Sequence, residues 1–233
     1  MKDFAQALSV VLSILCMHSA GAARHYSSQT KRILVLGDSL SEGFGLRQSE
    51  AYPALLIDKL HAASLSFEVT NASASGGTTE GGLRRLPPHL KRKIDIFILE
   101  LGINDAFRGV PIDKIRSNLQ EIIDQVKAHN PNVRIIITGM QFPNYTADEY
   151  VFTFGKMFSE LATKNHAALV PYLLEGVAGD PLVNLADGIH PNSAGQRVLA
   201  ENVWRVLEAI AHEVAALSSR AERGTSQSES GPH

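Results

Sequence analysis

The stretch Ile33-Leu34-Val35-Leu36-Gly37-Asp38-Ser39-Leu40-Ser41-Glu42-Gly43 decides the fold. Four aliphatic residues in succession describe a strand buried on both faces, because a strand with one face in water alternates apolar and polar residues. A glycine-bounded polar turn follows at once. There the chain leaves the core with backbone amides and a serine hydroxyl free to face outward.

Working outward, the same alternation recurs. Apolar runs at Phe67–Thr70, Ile94–Leu101, Val133–Thr138 and Leu169–Val170 supply four further strands. Helical patterns fall between them at Tyr52–Ala63, Ile112–Lys127, Tyr150–Lys164 and Ala194–Leu217, with a turn or two around Gly82–Leu90 interrupted by Pro87-Pro88. The clearest is 112–127, where Ile112, Ile115, Leu119, Ile122, Ile123 and Val126 form one stripe and Pro111 stands at the helix start. Strands alternating with helices predict an α/β domain, a mostly parallel sheet with helices on both faces. Ligands in such sheets bind beyond the carboxyl ends of the strands, so chemistry is sought in the loops there.

Composition narrows the function before any loop is considered. The 233 residues are 44% hydrophobic and 20% charged, enough for one core, and a single domain is expected over 32–217. A net charge of -2 supplies no basic field for nucleic acid or for an acidic membrane surface, which points to a small-molecule substrate. At the amino end, Lys2, the apolar run Phe4–Met17 and the small residues Ser19–Ala23 predict a signal peptide over 1–22, cleaved after Ala22 or Ala23. The run is shorter than the roughly 20 residues that span a bilayer, although Asp3 keeps an uncleaved anchor as the alternative. Export to the periplasm or the medium follows from cleavage. The lone cysteine, Cys16, lies in this leader, so the mature chain is expected to use neither a disulfide nor a thiol nucleophile. Residues 218–233, rich in Ser, Gly and charge, are expected to be disordered.

Four polar loops carry the candidate chemistry. Ser39 on its tight turn is a candidate nucleophile, although a loop from Asp38 to Gly45 could equally cradle a phosphate. In 71–78, Asn-Ala-Ser-Ala-Ser-Gly-Gly-Thr, glycines let a backbone amide approach a ligand; the plainer alternative is a turn with Thr78 or Thr79 capping the next helix. In Gly102-Ile103-Asn104-Asp105, the Asn104 amide is a neutral donor suited to a developing oxyanion, or else half of an Asx-turn. In Asp187-Gly188-Ile189-His190, three-residue spacing across a glycine turn lets a carboxylate orient an imidazole base. A metal pair or a surface turn would also fit that last segment.

Together these blocks resemble the SGNH, or GDSL, hydrolases: Gly-Asp-Ser-Leu at 37–40, Gly76, Gly-x-Asn-Asp at 102–105 and Asp-x-x-His at 187–190. Longer matches, Leu-Gly-Asp-Ser-Leu-Ser-x-Gly at 36–43, Asn-Ala-Ser-x-Ser-Gly at 71–76, Glu-Leu-Gly-x-Asn-Asp at 100–105 and Asp-Gly-Ile-His-Pro-Asn at 187–192, are similar to the bacterial arylesterase, acyl-CoA thioesterase I and lysophospholipase L1 group. The resemblance implies a flavodoxin-like three-layer α/β/α sandwich with a five-stranded parallel sheet in the order 2-1-3-4-5. It implies Ser39, Asp187 and His190 as catalytic residues, with the Ser39 and Gly76 amides and the Asn104 side chain as oxyanion hole. The implied substrates are carboxylic esters, among them aryl esters and lysophospholipids, and by extension acyl thioesters. No cofactor or metal is expected; Asp38 and Asp105, without a His/Cys cluster, are taken as organisers of local hydrogen bonds. A non-catalytic lipid- or glycan-binding module on the same fold is the alternative. Phe107, Phe142 and Tyr145, in the loops after the third and fourth strands, are candidates for the acyl-binding wall, unless Phe107 and Phe142 merely pack under their own loops.

Overall fold

The computed structural model describes residues 30–142 and 149–228, with side chains described through 217. The expected leader, and Tyr145 with it, lies outside the described residues.

Five strands form one parallel sheet: β1 (Lys31–Leu36), β2 (Phe67–Asn71), β3 (Ile96–Leu99), β4 (Arg134–Thr138) and β5 (Ala168–Val170). Their order is β2-β1-β3-β4-β5, and Val35 pairs with Asn71 on one side and Ile98 on the other. Ile33 to Leu36 and Ile96 to Leu99 are buried throughout, which is why both central strands are continuous aliphatic runs.

The described helices are α1 (Ser39–Glu42), α2 (Tyr52–Ala62), α3 (Thr79–Arg85), α4 (Ile103–Phe107), α5 (Ile112–His129), α6 (Glu149–Asn165) and α7 (Ser193–Ser228). A 3-10 turn at Pro87–Lys91 follows α3, as the proline pair requires. Crossovers between parallel strands are right-handed, so the reversal of direction after β2 places α2 on one face and α3, α5 and α6 on the other. Helix α7 returns to pack on α2, β4 and β5, while α3, α5 and α6 pack in sequence across the opposite face. On α5, Ile115, Leu119, Ile122, Ile123 and Val126 are buried as the apolar stripe dictates.

Helix α7 continues through 217, the end of the expected domain, to Ser228. Arg220, Ala221, Glu222 and Arg223 have favourable helix propensity and prolong an established helix.

Candidate active site

The order β2-β1-β3 makes a switch point at β1 and β3, whose following segments depart toward opposite faces. Ser39 begins the segment after β1, and Asn104 lies in the segment after β3.

The turn into α1 is built around Asp38. Its carboxylate caps the helix by accepting the Leu40 N–H at 3.0 Å, and Gly43 ends the single turn at φ 84°. Ser39 is therefore the first helical residue, and its N–H is among those a helix start leaves unsatisfied. Gly37 admits no side chain, since a Cβ there would come within 2.5 Å of Glu100 Oε2 and Ser41 Oγ.

The loop after β2 is tied to this turn. The Ala74 N–H donates to the Gly37 carbonyl at 3.2 Å, and the Ser75 N–H donates to Glu42 Oε2 at 2.6 Å. Gly76 takes φ 68°, a conformation open to glycine, and its carbonyl accepts from Arg108 Nη2 at 3.1 Å. That bond joins the Gly76 loop to the segment that carries Asn104. A second tie is buried: Thr79 donates to Asp105 from its N–H at 2.8 Å and its hydroxyl at 2.7 Å, and accepts from Asn118 Nδ2. Thr78, not Thr79, is the cap of α3. Asn104 donates to Asp38 Oδ2 at 2.9 Å, leaving the second N–H of its amide for a ligand. Asp38 and Asp105 thus act as hydrogen-bond organisers, as the sequence led one to expect.

The fourth loop brings an imidazole to Ser39. His190 Nε2 lies 3.0 Å from Ser39 Oγ, and Nδ1 lies 2.7 Å from Asp187 Oδ2. Asp187 Oδ1 accepts the backbone N–H groups of Ile189 and His190 at 2.9 and 3.0 Å. The donors from His190, backbone and ring, with the Ile189 amide behind them, hold the Asp187 carboxyl down to about 2. It is an anion wherever the protein is folded at ordinary pH. The loop closes on itself, with Asn184 bridged to Pro191 and the Leu185 N–H donating to the His190 carbonyl at 2.8 Å. A neutral imidazole here donates from Nδ1 to Asp187 and accepts the Ser39 hydroxyl proton at Nε2.

In the segments that follow β3 and β4, Phe107 and Phe142 meet edge to face with centroids 5.4 Å apart, and Phe142 continues to the buried Phe154 at 5.2 Å. Phe107 is 66% exposed, whereas Phe142 packs against the core. The two expected wall residues are in contact, each differently placed.

Four residues near the site were assigned no role from sequence. Phe44 stacks on His190, and Glu42 holds the Ser75 amide. Arg85 donates to the carbonyl of Gly37 at 2.9 Å, bracing the end of β1. Glu100 is fully buried against the Asp38 backbone. Of the four, Glu100 left the clearest trace in the sequence: a carboxyl that, with Asp95, interrupts the apolar run Ile94–Leu101.

A profile of the GDSL-like Lipase/Acylhydrolase family matches residues 35–198. Esterase TesA of Pseudomonas aeruginosa is 37% identical over 179 residues, 76% of this chain and 88% of that one. A solved TesA structure superposes with a TM-score of 0.73 at 37% identity, covering 77% of this chain and 99% of that chain. The arylesterase of Vibrio mimicus is 36% identical over 201 residues, 86% and 96% of the two chains. Thioesterase 1/protease 1/lysophospholipase L1 of Escherichia coli is 35% identical over 179 residues, 76% and 84%. Sheet order, serine turn and matched relatives agree, and the chain belongs to the GDSL-like lipase/acylhydrolase family of serine ester hydrolases.

Proposed function

We propose that Ser39, His190 and Asp187 are the working triad, and that the enzyme cleaves aryl esters and lysophospholipids, and acyl thioesters as a further class, through an acyl-enzyme on Ser39. The single observation that carries this reading is the chain of contacts from Ser39 Oγ through both ring nitrogens of His190 to Asp187, at 3.0 and 2.7 Å.

As Ser39 Oγ attacks the acyl carbon, its proton passes to His190 Nε2, and the Asp187 carboxylate stabilises the imidazolium through Nδ1–H. The carbonyl oxygen becomes an oxyanion facing the Ser39 and Gly76 amides and the free N–H of Asn104. On collapse His190 returns the proton to the departing alcohol or thiol. Water then repeats the sequence on the acyl-enzyme, again with His190 as base.

The names borne by the relatives support these three substrate classes. Phe107 and Phe142, with Tyr145 from the same region of sequence, form the acyl wall of this proposal. Export rests on the leader composition of 1–22, and no helix among the described residues is long and apolar enough to cross a membrane. Amino-terminal sequencing of protein recovered from outside the cytoplasm should begin at Ala23 or Arg24.

The test of the triad is labelling with a serine-directed phosphonate followed by peptide mapping. Stoichiometric modification of Ser39 is expected, with hydrolysis abolished in Ser39→Ala. Modification of another residue, or undiminished hydrolysis in Ser39→Ala, would remove the assignment.

A further inference from the structure

Behind the nucleophile lie two buried carboxyls that the triad does not use, Asp38 and Glu100, both 0% exposed. Glu100 Oε2 accepts from the Asp38 backbone N–H at 2.9 Å and from the Ser41 hydroxyl at 2.7 Å, and Ser41 Oγ is itself 2.9 Å from the Tyr52 hydroxyl. Among the described residues, Glu100 Oε1 is buried with no hydrogen-bond partner. On the Asp38 side, Oδ1 accepts from the Leu40 N–H and Oδ2 from the Asn104 amide.

An ionised carboxylate with one oxygen bare of donors is costly in a dry interior. A proton on Oε1 removes that charge and turns the bare oxygen into a donor. The acceptor it needs is offered by Asp38, buried beside it with its backbone N–H 2.9 Å from Glu100 Oε2. Asp38 already receives two N–H groups, so the single negative charge of the pair belongs there.

We propose that Asp38 and Glu100 share one proton, and that Glu100 is a positioning residue which, as the neutral acid, holds Asp38 as the acceptor for Asn104. Two adjacent carboxyls cannot both ionise in a dry site. Burial, reinforced by the charge of Asp38, raises Glu100 well above the usual carboxylate range, and burial raises Asp38 to about 6. The other titratable or charged groups facing the pair are Arg85, bonded to the Gly37 carbonyl, and the His190 imidazole across Asp38, with Glu42 beyond Arg85 and Tyr52 beneath. The inference rests on the roles proposed above for Ser39 and Asn104 only in its kinetic consequence; the location of the proton stands on the pair itself.

The experiment uses the full chain with carboxyl-13C glutamate and isotope-edited infrared spectroscopy at neutral pH. A neutral-acid carbonyl band is expected in the wild type and absent in Glu100→Gln. Kinetically, Glu100→Gln, which offers an amide N–H in place of the acid O–H, should stay within roughly fivefold of wild-type kcat. Glu100→Ala should lose about 10- to 100-fold in kcat with KM little changed, because the oxyanion contact is made in the transition state. Absence of the neutral-acid band, or a Gln variant no better than the Ala variant, overturns the proposal. Should the Ala variant fail to fold, the band and its loss in Glu100→Gln decide. Phosphonate mapping on the same samples reports separately on Ser39: labelling elsewhere would fault the triad while leaving the shared proton standing.

Discussion

The phenyl ring of Phe44 lies on the imidazole of His190, their centroids 4.3 Å apart and their planes at 34°. One face of the imidazole is thereby shielded from water, and in the proposed mechanism the π-cloud would favour the imidazolium of the acylation step. A cation over an aromatic face at an exposed site is worth about 0.5–1 kcal/mol, so Phe44→Ala should lower kcat by roughly two- to fivefold. Phe44→Tyr, which keeps the ring, should hold the wild-type rate. Steady-state kinetics on one ester decides it: equal rates for the Ala and Tyr variants would deny the ring a role.

Removing the Asn104 side-chain donor should leave ground-state binding intact. Asn104→Ala is expected to cost about 100- to 1,000-fold in kcat with KM nearly constant. A loss confined to KM would place Asn104 in substrate binding instead.

Asp187→Asn should fold normally and lose about 10,000-fold in kcat, since an amide favours the wrong imidazole tautomer. The same carboxyl makes a prediction about stability. Its folded value, about 2, lies below the roughly 3.9 of an unfolded aspartate, so its contribution is full above the higher value and disappears as pH falls from there toward about 2. Urea denaturation of wild type and Asp187→Asn at a series of pH values should show the gap between them closing over that window. A gap independent of pH would assign the difference to something other than this titration.

Gly37→Ala should be among the most damaging small substitutions in the chain. Its methyl would collide with Glu100 Oε2 and Ser41 Oγ, both inside a packed core, and overpacking of this kind costs about 1–3 kcal/mol. A lowered Tm together with reduced activity is expected; wild-type values for both would mean the strand end yields more readily than its packing implies.

Each buried methylene contributes about 0.8 kcal/mol, so an acyl wall at Phe107 and Phe142 should raise kcat/KM severalfold per two-carbon unit until the site is filled. The expected profile favours medium chains over acetyl and flattens in Phe107→Ala and Phe142→Ala. An optimum at acetyl, or a profile indifferent to both substitutions, would locate the acyl chain elsewhere.

The fold was legible because its decisive strands advertise themselves: Ile33 to Leu36 and Ile96 to Leu99 have no polar face to obscure. The Asp187–His190 pairing was legible because it is local, three residues across a turn. The stacking of Phe44 on His190 was not, since it joins distant segments and no periodicity encodes such a contact. Glu100 escaped notice for a different reason. A carboxyl at the end of a strand reads as the point where the chain meets water, and only the Asp38 amide opposite shows that it stays inside. Where α7 ends is not legible in the same way, because polar composition speaks about a core while helix continuation needs only favourable backbone propensity.

The self-closed loop from Asn184 to Pro191 has a bearing on how activity should be interpreted in folding experiments. Asp187 and His190 find each other within one turn, whereas the contact of His190 with Ser39 spans 151 positions and exists only when α7 has brought the loop back to the start of the sheet. Closing the three-residue turn costs little chain entropy, whereas closing 151 positions costs more. Ester hydrolysis is therefore a reporter of completed chain closure, and during refolding it should return after the secondary-structure signal has already recovered.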